Sequence, residues 1–191
     1  MPSFHSSPPM IGESAMEWKM TETIRYAAGE SSLGAFLAAA SADGLVMVAF
    51  ADAGETAMND LRARFPDAEI VEDSAGLRET VDGVARLIEH PEANAVLPLD
   101  LRGSPFELRV WSELRRIPAG ETVSYGEIAA RIGAPRDARE VAEACAANDL
   151  AIVIPCHRVV KKGGAISGYR WGVRRKRALI EREHRALWQL S

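Results

Sequence analysis

Cysteine is scarce in this chain. Cys145 and Cys156 are the only two among its 191 residues. No CxxC pair exists, so a four-cysteine zinc site within the chain is excluded. No apolar run approaches the roughly 18 residues that a membrane span requires. The opening stretch "MPSFHSSPPMIGESAMEWKM" lacks the basic end and apolar centre of a secretory signal. Its Ser, Pro and Met content reads as a mobile N-terminal extension over residues 1–20. Internal repeats and low-complexity tracts are also missing. Few cysteines and no export signal fit a reducing, cytoplasmic setting and no membrane partner.

What is present suits a soluble globular chain of one large or two small domains, 47% hydrophobic and 26% charged. The net charge of −4 conceals an uneven distribution. Residues 1–100 hold 6 Lys and Arg against 17 Asp and Glu, a balance of −11. Residues 101–191 hold 17 against 10, a balance of +7. Such asymmetry suggests two modules and an anionic partner for the basic one. A solvated basic helix, "RRKRALIEREHR", accounts for the same numbers equally well.

The acidic part reads as a small α+β unit. "TIRYAAGESSLGAFLAAASADGLVMVAFAD" breaks into short strands at Gly, Ser and Asp, with 44–50 the clearest. "TAMNDLRARFP" places Met58, Leu61 and Phe65 at helical spacing. "AEIVED" is a strand candidate. "SAGLRETVDGVARLIEHP" reads as a helix with Leu77, Val81, Val84, Leu87 and Ile88 on one face, Ser74 as N-cap and Pro91 as terminator. The basic part is mainly helical. "SPFELRVWSELRRIP" starts at a Ser104 cap with Pro105 in the first position. "ETVSYGEIAARIG" starts a helix at Ser124, and "APRDAREVAEACAAN" carries the next. The "GAPRD" connection makes these two a helix-turn-helix, a geometry that serves DNA readers and ordinary cores alike. "KKGGAISGYRWG" reads as loop and "VRRKRALIEREHRALW" as a final helix.

"AIVIPCHRVV", residues 151–160, sets a thiol, an imidazole and a guanidinium between two apolar pieces. Ala151–Ile154 reads as a short buried strand that Pro155 ends. From the residues alone, Cys156 is either a small core hydrophobe or a nucleophile. A thiol at a strand end beside a base and a fixed cation has surroundings that favour thiolate.

"IPCHRV" resembles the active-site signature of the O6-alkylguanine-DNA alkyltransferases. "SPFELRVW", "IPAGETVSYGEIA", "ACAANDLAIVIPCHRVV" and "SGYRWG" resemble that family too, and within it the branch found in the C-terminal part of the bacterial Ada protein. The match is close from about Val96 to Glu183 and weaker back to Thr21. The resemblance implies an α+β fold with a ribonuclease-H-like N-terminal domain over 21–100. A winged-helix-like, DNA-binding and alkyl-transfer domain would follow over 101–191. The implied activity is that of a methylated-DNA–protein-cysteine methyltransferase. Such a protein flips an O6-alkylated guanine out of double-stranded DNA and takes the alkyl group onto a cysteine once, as a monomer without cofactor or metal.

The resemblance also assigns roles. Cys156 matches the nucleophile, His157 the base that takes its proton through a water, and Glu183 the acid that orients the histidine. Tyr125 matches a tyrosine that helps turn the target phosphate and contacts the flipped base. Lys176 matches a lysine near the leaving oxygen. Arg139 matches the arginine that fills the duplex after base extrusion. Ala138 and Ala142 are the small residues that allow close approach to DNA. Asn148 ties the recognition helix to the active-site strand. Cys145, Tyr169, Trp171 and the backbone of Val159 and Arg170 line the base pocket. Arg158 is expected to bridge to the N-terminal domain. There are departures. Trp171 stands where other branches have glycine, Cys145 where many have methionine, and Glu140 where many have alanine. Cysteines for the zinc domain that accompanies the Ada branch are absent, so methylphosphotriester repair is not implied.

Two rival functions remain beside this one. A DNA-binding regulator without chemistry has no use for Cys156, His157 and Glu183 together. A cysteine hydrolase needs an oxyanion hole, and no motif here supplies one.

Overall fold

The computed structural model describes residues 21–51, 54–91 and 96–190. The N-terminal extension read from the sequence lies outside them. Strands β1 (Thr23–Gly29), β2 (Phe36–Ala40) and β3 (Leu45–Phe50) form an antiparallel meander. Helix α1 (Gly54–Arg64) then leads to β4 (Glu69–Glu72), which pairs parallel with β1. The sheet order is β3-β2-β1-β4. Every residue of β2 and β3 is buried, which is why both read as continuous apolar runs rather than alternating ones. Helices α1 and α2 (Arg78–Glu89) pack on this sheet.

Helix α2 begins later than the sequence pattern suggests. Ser74 is not its cap: its hydroxyl donates to Glu72, and Asp73 Oδ1 accepts from Gly76 N at 2.8 Å. That turn uses residues 73–76, and the helix starts only after Leu77, which has no side-chain cap.

The second part is α3 (Pro105–Leu114), β5 (Val123–Ser124), α4 (Tyr125–Arg131), α5 (Ala138–Ala146), a 3-10 turn at Cys156–Arg158, β6 (Val159–Val160) and α6 (Val173–Leu190). Ser104 and Ser124 each close a reciprocal capping box, with Glu107 and Glu127. Helices α3, α4 and α5 pack against one another, and Trp111 Nε1 donates to the Ala144 carbonyl at 2.8 Å. β5 and β6 pair in parallel. The architecture is α+β, and one buried core runs from Ile24 through the helices to Leu179. Among the described residues no helix is long and apolar enough to cross a membrane.

The outer edge of β3 joins the two parts. Leu45 N donates to Pro98 O and Asp100 N to Leu45 O, both at 2.9 Å. Gly44 turns the chain there at φ +150°, where a Cβ would meet the Pro98 carbonyl at 2.6 Å. Further along, Val48 N donates to Asp149 O (2.8 Å) and Ala151 N to Val48 O (2.9 Å). Thus the segment that leads to Cys156 is clipped to the sheet. Helix α6 is clipped too. Arg175 Nε donates to Leu33 O (2.8 Å), and Arg182 reaches Ile88 O (2.5 Å) and Ser32 Oγ (2.7 Å).

Ala151–Ile154 is not a strand. In this segment only Leu150 bridges to β3, at Val48. Val153 N then donates back to Ala151 O at 2.7 Å and Cys156 N to Ile154 O at 2.8 Å, so the chain coils through two three-residue turns. Ile152 is the central residue of the first turn, at φ +69°, the one non-glycine at positive φ among the described residues. A β-branched residue there is strained. The apolar run reflects burial of Ala151 and Ile154, not ladder pairing.

Candidate active site

Cys156 is 6% exposed at the head of the 3-10 turn. Asn148, fully buried just past α5, organises it. Leu150 N donates to Asn148 Oδ1 (2.9 Å), which fixes the amide. The amide NH2 then faces Ile154 O (3.0 Å) and Cys156 Sγ (3.2 Å). Asn148 therefore ties the end of α5 to the coiled turns, rather than to a strand, and touches the thiol itself. Burial pushes the Cys156 thiol up, against the smaller downward pulls of Asn148, Lys176 and Arg170. The sequence reading of a thiolate-favouring site is thus corrected: the resting group is a thiol, because desolvation outweighs its neighbours.

His157 is 1% exposed, and its Nε2 lies 2.8 Å from Glu183 Oε1. Burial alone would raise the Glu183 carboxyl, but His157 and Arg158 outweigh it and bring it down to about 2. The carboxylate is ionised and can only accept, so Nε2 carries the proton. Nδ1 is left with its lone pair and has no partner among the described residues. Burial lowers the His157 pKa despite Glu183, so the ring rests neutral. A neutral base beside a neutral thiol is ready to take a proton when the thiol reacts.

Glu183 has more partners than the relay alone. Arg158 donates to it from Nε (3.1 Å to each oxygen) and Nη2 (2.9 Å), and Gly120 N donates at 3.0 Å. Arg158 Nη1 reaches Ile117 O at 2.5 Å. The expected bridge from Arg158 to the N-terminal part is not what forms. A buried carboxylate requires a matching fork of donors, and Arg158 supplies it.

On the other side of the thiol lies a polar chain. Lys176, 1% exposed, donates from Nζ to Val159 O (2.5 Å) and Ser167 Oγ (2.6 Å), with Gly168 O at 3.4 Å. Ser167 Oγ meets Tyr125 OH at 2.7 Å. Burial lowers the Lys176 pKa and raises that of Tyr125. Ser167 carries this link and was not singled out in the sequence, where it is one hydroxyl in a glycine-rich loop. The Val159 carbonyl, expected to face a base, is engaged by Lys176.

Tyr169 lies edge-on to both His157 (6.5 Å between ring centres) and Trp171 (5.1 Å). Its buried hydroxyl has no partner among the described residues. Trp171 is 8% exposed, and the Arg170 guanidinium lies 5.7 Å over its ring. Arg170 also pairs with Asp149 (2.6 Å) and with Asp60 of α1 (3.4 Å). Cys145 is half-buried, its thiol held up by burial.

The residues expected to meet DNA stand apart on α5. The Arg139 side chain is 87% exposed and pairs with Glu143 at 3.1 Å. Glu140 is exposed and makes no hydrogen bond or ion pair among the described residues. Ala138 and Ala142 are half-buried. Among the described residues no cluster suited to a metal ion exists.

Comparison with known proteins gives the family. Residues 105–185 match the family model described as 6-O-methylguanine DNA methyltransferase, DNA binding domain. The chain is 44% identical over 160 residues to the bifunctional transcriptional activator/DNA repair enzyme Ada of Escherichia coli, covering 84% of this chain and 45% of that protein. It is 39% identical over 125 residues to the inducible methylated-DNA–protein-cysteine methyltransferase of Bacillus subtilis, covering 65% and 70%. The crystal structure of Mycobacterium tuberculosis OGT in complex with DNA superposes with a TM-score of 0.72 at 35% identity, covering 85% of this chain and 94% of that one. The chain spans about half the length of several curated relatives it matches, 45% for Ada and 52% for a mycobacterial methyltransferase.

Proposed function

The chain belongs to the O6-methylguanine-DNA methyltransferase family, and on that premise we propose that it repairs DNA by moving the alkyl group from O6 of guanine onto Cys156, once per molecule. The observation that carries the proposal is the buried cluster in which Asn148 holds the Cys156 thiol while Glu183 orients the neutral His157.

Double-stranded DNA meets α5, the recognition helix, with Ala138 and Ala142 permitting close approach and Arg139 entering the stack. The flipped guanine lies among Tyr125, Cys145, Val159, Tyr169, Arg170 and Trp171. His157 takes the thiol proton at Nδ1, through a water as the resemblance implies. Asn148 donates to the growing thiolate. Sγ attacks the alkyl carbon, the Sγ–C bond forms as the C–O6 bond breaks, and the electron pair leaves with the purine. Positioning and proton removal supply most of the acceleration. The thioether has no route back, so the reaction stops. The scheme uses only side chains of a single copy of the chain.

The fold supports a finer reading. The β1–β3 meander with parallel β4 fits a ribonuclease-H-like domain over 21–100. Helices α3–α5 with the β5–β6 pair fit a winged-helix-like domain over 101–191. The test is intact mass after incubation with duplex DNA containing O6-methylguanine. The protein should gain one methyl and stop, and peptide mapping should put it on Cys156. A methyl on Cys145, turnover without mass gain, or DNA binding without either outcome overturns the reading.

A further inference from the structure

We propose that Ser167 is a relay residue that passes a proton from Lys176 to Tyr125 and so to the departing purine. This rests on the alkyl-transfer reading above and deepens it. Ser167 is 6% exposed, and its one hydroxyl touches both partners, Lys176 Nζ at 2.6 Å and Tyr125 OH at 2.7 Å. Lys176 and Tyr125 share no direct hydrogen bond, so Ser167 is their connection.

A hydroxyl has one proton and two lone pairs. Lys176 occupies one lone pair. The Ser167 proton then has two acceptors, Tyr125 OH or the Val159 carbonyl at 3.3 Å. With the proton toward Val159, Tyr125 donates to Ser167. With the proton toward Tyr125, the tyrosine's own hydrogen is free for the substrate. Rotation about one Ser167 bond therefore switches Tyr125 from resting to donating.

The transfer balances. Attack by the thiolate leaves a negative charge on the purine. Tyr125 gives its proton to the purine, Ser167 gives its proton to Tyr125, and Lys176 gives one to Ser167. The products are the thioether, a neutral guanine, a protonated His157 that holds the thiol's proton, and a neutral Lys176 amine. Burial, which lowers the Lys176 pKa, makes that last loss easier than for an exposed lysine.

Cys145, Cys156 and His157 are the titratable groups whose charges couple to Lys176, with Tyr125 reached through Ser167. As pH rises and Lys176 loses its proton, single-turnover transfer should fall. Ser167→Ala should slow transfer on the order of 10- to 100-fold, the scale of a lost hydrogen bond to a charged group. It should leave duplex affinity unchanged and flatten the alkaline fall. In a Tyr125→Phe background, Ser167→Ala should cost nothing more, because the end of the relay is already gone. Ser167→Thr keeps the hydroxyl and should retain most of the rate. The inference is overturned by a wild-type rate in Ser167→Ala, by additive losses with Tyr125→Phe, by an unmoved alkaline limb, or by equal losses in Ala and Thr variants. Failure of the wild-type protein to gain any methyl would instead sink the alkyl-transfer reading itself.

Discussion

At Cys156 the balance between burial and hydrogen bonding decides the chemistry. A thiol kept protonated at rest is protected from adventitious alkylation and oxidation, and its reactivity waits on His157. His157→Ala should therefore slow transfer on the order of 10² to 10⁴. The imidazole must be neutral to accept the proton, and its pKa is lowered by burial. Wild-type transfer should hold its rate as pH falls through the ordinary imidazole range, and decline only below it. A rate that halves near pH 6.5, the ordinary imidazole value, would mean the ring is not the buried base. Trp171 sets a limit of another kind. Its indole, packed on Tyr169, takes volume that a bulky O6 group requires. Trp171→Gly should raise the rate ratio of O6-benzylguanine to O6-methylguanine, and an unchanged ratio would show that the indole does not border the pocket.

Helix α6 places both Lys176 and Glu183 inward, two turns apart, while Arg175 and Arg182 beside them hold the β1–β2 turn and the end of α2. Glu183→Gln should cost about 3–5 kcal/mol, because it strands the Arg158 guanidinium without its charge partner. Thermal unfolding at neutral pH checks this. The carboxyl's pKa is lower folded than unfolded. Its stabilising effect is thus full above the usual carboxylate range and is lost as pH falls toward about 2. The Gln variant should lack that acid-range loss. On α5, Glu140 has no ion pair among the described residues and stands beside Arg139, so on the DNA face proposed above it would repel phosphates. Glu140→Ala should tighten duplex binding, more so at low salt. Arg139→Ala should slow transfer in duplex DNA more than it weakens binding. Equal affinity in the first variant, or a wild-type rate in the second, would remove this helix from the DNA face. These elements were legible in sequence to different degrees. Ser104 and Ser124 announced their helices because a cap is a local chemical event. Ala151–Ile154 misled because burial alone selects apolar residues. Glu183 is invisible in "EREHR" without the resemblance. Ser167 and the Arg158 fork stayed hidden, because their partners lie 9 to 42 residues away.

For the molecule as a whole, charge and topology divide the work. The acidic part forms the sheet that holds the catalytic turns, and the basic part carries the face proposed for DNA. The clip between Val48 and Leu150 has a consequence in time. Synthesis runs from the N-terminus, so the Val48 part of β3 is made about a hundred residues before Leu150 covers it, while Leu99 covers the Leu45 end earlier. At roughly 5–20 residues per second, the nascent chain carries a bare apolar strand edge for about 5–20 s. Bare edges recruit other edges. A fragment ending at Pro91 should self-associate and sediment while the full chain stays dispersed, and a fragment that remains dispersed would show the edge to be harmless. If the fragment does sediment, the segments around Leu99 and Leu150 together are what ends the sheet's exposure during birth.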